Sequence, residues 1–248
     1  MKYIRSILSI IIAVLFSNCS VYENIYFSEN GNIKYEMSID AGEMIATMSS
    51  MEINAPDNIP SDTIIHLIDF IKDSLDLSSE NIQDAIKNIE PIYLKYENKI
   101  NESKLNISIF GNFENSDALN KAFAAMSLLD QYTNKGKDND ENQNSLPVEK
   151  LFRCSLLWDD VTMKRVIDPT NNNESDKESS PNSKHNTLYK FFANGGMVVK
   201  YHFPKKIIKV SNPDATLSLD GKVAIIEYSG SMLTEPTDKL SIEIATEK

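Results

Sequence analysis

The sequence predicts an α+β fold: an antiparallel sheet with helices on one face and a β-rich C-terminal part. Three observations lead there. Ile33, Tyr35, Met37 and Ile39 alternate with Lys34, Glu36, Ser38 and Asp40, the period of a strand with one wet face. Ile82, Ala85, Ile86 and Ile89 recur at helical spacing after a Ser78-Ser79-Glu80 start, and Pro91 stops that run. The stretches 92–99 and 104–113 are strand-like and close together, as in a hairpin pair.

The remaining elements follow the same logic. A strand around Tyr22 to Ser28 precedes Asn30-Gly31, a hairpin turn signal. Asp40 followed by Glu43 marks a helix start, with Met44, Met48 and Met51 on one face. Ile64, Ile68, Ile71 and Leu75 again fall at helical spacing. Asn115 or Ser116 caps a helix with Leu119, Ala122, Phe123 and Met126 inward. In a strand from Glu149 to Trp158, Phe152, Cys154, Leu156 and Trp158 share one face. From Ile33 onward this gives β, helices, β, β, α, β, the split order of ferredoxin-like sandwiches.

Beyond residue 187 the chain turns β-rich. Met197, Val199, Tyr201 and Phe203 alternate with Val198, Lys200 and His202. Asp220-Gly221 marks a hairpin between Leu219 and Lys222, and Leu240, Ile242 and Ile244 make a last strand with Glu243 outward. Residues 133–147 and 167–186 are polar, and neither stretch buries enough apolar surface to order itself. The organisation expected is a signal segment at 1–18 and one domain at 19–248. That domain divides into an α+β core (19–166), a mobile loop (167–186) and a β-rich part (187–248).

The N-terminus speaks to location. Lys2 and Arg5 precede an apolar run from Ser6 to Phe16, too short for a spanning helix of about 20 residues. Phe16-Ser17-Asn18-Cys19 then ends the segment on a cysteine. This layout resembles a bacterial lipoprotein signal, in which the cysteine is lipidated and becomes the mature N-terminus. Phe16 and Asn18 depart from the usual Leu and small residue, a relaxation found in Bacteroidota and spirochaetes. Cys19 is thus the expected lipidation site, with an ordinary cleaved signal peptide as the rival reading, and Cys154, the only other cysteine, then reads as a small core thiol.

The chain carries 25 Lys+Arg against 36 Asp+Glu; without Lys2 and Arg5 the mature balance is 23 against 36, a net charge of −13. Such acidity excludes a nucleic-acid partner and electrostatic docking on anionic lipid, so the lipid does the holding. Strand-like sequence begins by Tyr22, which places the folded domain within about 10–15 Å of the bilayer.

Two stretches carry a wider resemblance. Ile25 to Tyr35 (Ile25-Tyr26-Phe27-Ser28-Glu29-Asn30-Gly31-Asn32-Ile33-Lys34-Tyr35), then Ile39-Asp40, is one. Tyr201-His202-Phe203-Pro204-Lys205-Lys206-Ile207, with Val210-Ser211-Asn212 and Ser218-Leu219-Asp220-Gly221-Lys222, is the other. Together they resemble uncharacterised lipoproteins of Bacteroidota. The resemblance implies an envelope lipoprotein and brings no catalytic residues. Glu23 is the only acid between Ser20 and Ile25, which leans toward the periplasmic face of the outer membrane rather than the surface.

No constellation outweighs this. Asp138, Asp140, Asn142, Asn144 and Glu149 match the oxygen spacing of a calcium loop, but Gln143 replaces the required Gly and Pro147 interrupts it. Met44, Met48 and Met51 read as core rather than copper ligands. His66 on a helix, His185 in a polar loop and His202 on a wet strand face share no zinc spacing. Asp159-Asp160 is the most visible carboxylate pair and reads as solvated surface. No nucleophile elbow or phosphate loop occurs, and no cofactor is implied. The function expected is binding or assembly with an envelope partner or ligand. The alternatives are an envelope hydrolase acting on glycan or peptide, and a calcium-stabilised module.

Overall fold

The computed structural model describes residues 21–40, 62–72, 75, 77, 79–99, 104–135, 152–167, 195–230 and 240–248. In order, the elements are β1 (Val21–Phe27), β2 (Ile33–Asp40), β3 (Thr63–His66), α1 (Leu67–Ile71), α2 (Glu80–Ile89), β4 (Ile92–Lys99) and β5 (Lys104–Phe113). There follow α3 (Ser116–Lys135), β6 (Cys154–Trp158), β7 (Thr162–Ile167), β8 (Gly196–His202), β9 (Ile207–Val210), β10 (Thr216–Leu217), β11 (Val223–Ser229) and β12 (Ile242–Thr246).

Two sheets result. The larger has the order β10-β11-β8-β1-β2-β5-β4-β3, and the smaller β6-β7-β12-β9. Among the described residues every pairing is antiparallel except that of β1 with β8. The fold is therefore α+β with an antiparallel-rich sheet and a β-rich C-terminal part. The C-terminal strands serve both sheets: β8, β10 and β11 extend the larger, and β9 and β12 complete the smaller.

Register explains the core. Val21, Ile25 and Phe27 share a phase with Ile33, Tyr35 and Met37 on β2 and with Met197 and Tyr201 on β8, and all are buried. The helices α2 and α3 cover part of this face. Ile82, Ala85 and Ile89 are buried on α2, and Phe123 of α3 meets Tyr35 edge-on at 5.0 Å between ring centroids. The smaller sheet covers the face over β1 and β8. There Phe27 lies 5.1 Å from Trp158 and 4.9 Å from Phe203. Gly111 lies in the inner phase of β5 because nothing larger fits: a Cβ there would come within 2.7 Å of the Pro91 carbonyl oxygen, where the chain enters β4 from α2.

Most predicted elements are found, several to the residue. Asn115 caps α3, its Oδ1 accepting the Ala118 amide at 2.9 Å. Gly31 takes φ +81° in the β1–β2 turn. Some expectations are corrected. The segment read as a helix from Ile64 begins as a strand: Thr63, Ile64 and Ile65 pair with Tyr96, Lys95 and Leu94, and helix runs only from Leu67 to Ile71. β-Branched residues beside an available edge favour the ladder. His66 therefore ends a strand instead of lying in a helix. Phe152 precedes strand β6 and packs on Phe123.

β7 was not anticipated. It continues through Ile167, past the expected core boundary at 166. The sheet order β2-β5-β4 is that of three ferredoxin-like strands, but the fourth place, beside β2, belongs to β1, while β6 starts the smaller sheet. The N-terminal hairpin occupies that place with the same antiparallel geometry.

The exposed edge of β6 is closed by a side chain. Asn120 of α3 donates Nδ2 to the Leu156 carbonyl and accepts the Leu156 amide on Oδ1, both at 2.8 Å, as a neighbouring strand would. Asn120→Ala is expected to destabilise the fold by about 1–3 kcal/mol in urea unfolding, with Asn120→Asp also destabilising because it keeps only the acceptor. An unchanged midpoint in both variants would contradict this role.

Candidate functional site

Among the described residues two places gather functional groups, and their surroundings differ. The first is buried between the sheets. Glu23 on β1 and Arg165 on β7 both lie in the apolar phase of their strands, and both are buried. The guanidinium binds the carboxylate through both terminal nitrogens, Nη1 to Oε2 and Nη2 to Oε1, the latter at 3.0 Å. Nη1 also donates to the Tyr201 hydroxyl at 3.3 Å.

Burial by itself disfavours the Arg165 charge. Glu23 beside it more than offsets this and holds the pKa well above the ordinary value. Burial, then Glu23, pushes the Tyr35 hydroxyl up, and burial raises Tyr201 and Tyr228. Cys154 lies beside Arg165, yet burial outweighs that cation and raises the thiol. The thiol is thus kept protonated, the opposite of what a nucleophile needs. These groups hold the two sheets together.

The second place is the open face of the larger sheet, where the opposite phase of each strand points. Tyr26 is central. His202 stacks on it at 4.1 Å with planes 16° apart, and Lys34 stands 5.2 Å from its ring centroid. Parallel pairing of β1 with β8 sets His202 beside Tyr26, and antiparallel pairing with β2 sets Lys34 on the other side. His202 Nε2 lies 3.3 Å from Asn24 Oδ1.

Further along this face Tyr93 stacks on Phe110 at 5.6 Å, and His66 lies 4.3 Å from Tyr93. Lys95 pairs with Glu97 at 2.7 Å and Lys34 with Glu36 at 4.0 Å. Burial, then Glu36, raises the Tyr26 hydroxyl. With its charges largely paired, the face offers stacking and hydrogen bonding to a partner.

The residues singled out by sequence scatter. Cys19, the Met44–Met48–Met51 stripe, the calcium-loop set Asp138, Asp140, Asn142, Asn144 and Glu149, and His185 lie outside the described residues. His66 and His202 share the open face on different strands. Asp159 and Asp160 form the β6–β7 turn: Asp159 Oδ1 accepts the amides of Val161 and Thr162 at 3.1 and 2.6 Å, and Asp160 takes φ +70°. Among the described residues no three His, Cys, Asp or Glu converge to hold a metal ion. No helix among them is long and apolar enough to cross a membrane. Glu23, Arg165 and Tyr201 were missed as a group because only the fold brings them together.

No family model and no curated protein matches the sequence. Among solved structures, the NMR structure of the folded domain of LppM from Mycobacterium tuberculosis aligns over 94% of this chain and 93% of that chain, at 8% identity and a TM-score of 0.39. A likeness that slight transfers neither fold nor function.

Two predictions follow from the geometry. Arg165→Met alone strands a buried carboxylate and is expected to cost about 3–5 kcal/mol, whereas adding Glu23→Met recovers most of it. Urea unfolding of the two variants checks this, and equal losses would contradict it. The second concerns His202, whose imidazole burial and then Lys200 hold below the ordinary 6.5. Unfolded chain therefore binds more protons than folded chain in this range. The His202 contribution is full above about pH 6.5 and is lost as pH falls through that value toward the lower folded pKa. An NMR titration midpoint for His202 at or above 6.5 would contradict the assignment.

Proposed function

We propose that this chain is a lipid-anchored protein of the bacterial cell envelope that binds or assembles with an envelope partner, without a catalytic centre of its own. One observation carries the reading furthest. β1 begins at Val21, two residues after Cys19, and Val21 is already buried and paired on both sides. A lipid on Cys19 would thus be fastened directly to a central strand. The open face, with its stacked rings and paired charges, supplies contact area suited to a protein or ligand partner. The single acid near Cys19 favours the periplasmic side of the outer membrane.

The test is Cys19→Ser in the native envelope, read by membrane fractionation and crosslinking. The wild-type chain is expected in the membrane fraction with a stoichiometric crosslinked partner. The variant is expected to leave that fraction and lose the partner. Equal membrane retention of both chains would overturn the anchor. Retention of the partner by the soluble variant would show that binding does not depend on placement at the membrane.

A further inference from the structure

We infer that the domain stands upright on the bilayer, with one named end of the larger sheet against the headgroups and its strands along the membrane normal. This deepens the lipid-anchor reading and rests on it. The argument begins with reach. Two residue steps separate Cys19 from Val21, so the lipidated residue lies at most about 7 Å from the start of β1. β1 is not an edge strand; it sits between β8 and β2. The end of the sheet marked by Val21 is therefore the membrane end. Register assigns the neighbours there: Val21 is level with Ile39 and Met197, Met197 with Tyr228, Gly196 with Ser229, and Asp40 with Asn106.

The opposite end is equally defined. The seven residues of β1 span about 23 Å at ~3.3 Å per residue. Beyond them lie the Ser28–Asn32 turn and the hairpin turn Ser218–Lys222. The first is closed by Gly31 N to Ser28 O at 3.1 Å, the second by Gly221 N to Ser218 O at 2.9 Å. Leu219, fully exposed, sits at the tip of the second.

Two ways of lying down remain, and each meets an obstacle. On the inner side, the smaller sheet and the helices interpose a layer about 10 Å thick, more than the tether spans. On the open face, Lys34 and Lys95 are paired with Glu36 and Glu97, and on the neighbouring strands β8 and β11 Lys200 is balanced by the exposed Glu227, so the face has no net attraction for anionic headgroups. Among the described residues its exposed large apolar side chains are Tyr22 and Ile64, with three strands between them. Upright, the open face looks sideways, and a partner approaches it along the membrane surface.

The experiment uses full-length lipidated protein in phosphatidylcholine–phosphatidylglycerol vesicles containing a nickel-chelating lipid. Nitroxide labels are placed one at a time through Ser229→Cys, Lys200→Cys, Glu29→Cys and Leu219→Cys. Relaxation of the label by lipid-borne nickel is expected to be strongest at 229, weaker at 200, and lost at 29 and 219. Relaxation at 200 equal to that at 229 would mean that the open face lies on the membrane, and strongest relaxation at 219 would mean the reverse end; either overturns the inference. Vesicle flotation of the same samples separates the two claims. A chain that floats with the wrong order overturns the orientation alone, and a chain that does not float overturns the anchor as well.

Discussion

The rest of this structure depends on the contact between Glu23 and Arg165. The two residues are 142 positions apart, one on each sheet, and meet where water is excluded. Removing two charges from water costs several kcal/mol per ion, and only close two-point geometry with further hydrogen bonds offsets it. The bidentate contact and the Tyr201 hydroxyl supply that geometry. Apolar residues of equal volume would serve stability as well. What the pair adds is a fixed meeting point: a placement of the smaller sheet that parts the two side chains while keeping them buried leaves both charges without a partner.

That constraint organises the layers. β1 contributes Glu23 to the fastening, Phe27 to the ring contacts with Trp158 and Phe203, and Tyr26 to the open face. Alternate residues of one strand thus serve the core and the surface, as the pleat requires. The same strand receives the chain directly from Cys19. Inter-sheet fastening and open face are joined through the seven residues of one strand.

Where hydrophobic periodicity was clean, the fold was legible. α2, β4, β5 and β8 were visible because each repeats apolar residues at the period of its element. β7 was hidden because Arg165 stands in its apolar phase between Met163 and Ile167, so the alternation reads as broken. The cause of that break is the feature on which the assembly depends. β3 was misread because Ile64 and Ile68 fit a helical period as well as a short edge strand, and only the partner β4 decides. The open face was less legible still. Its central stack joins Tyr26 to His202, near opposite ends of the chain, and it exists only because β1 pairs in parallel with β8. No local signal announces such a pairing.

The most direct test of the central claim is native-state hydrogen exchange on Arg165→Met. If the ion pair fastens the smaller sheet to the larger, the amides of β6, β7, β9 and β12 should lose protection together, while the β4–β5 hairpin and its pairing with β2 keep theirs. A uniform loss across both sheets, or none, would contradict the account.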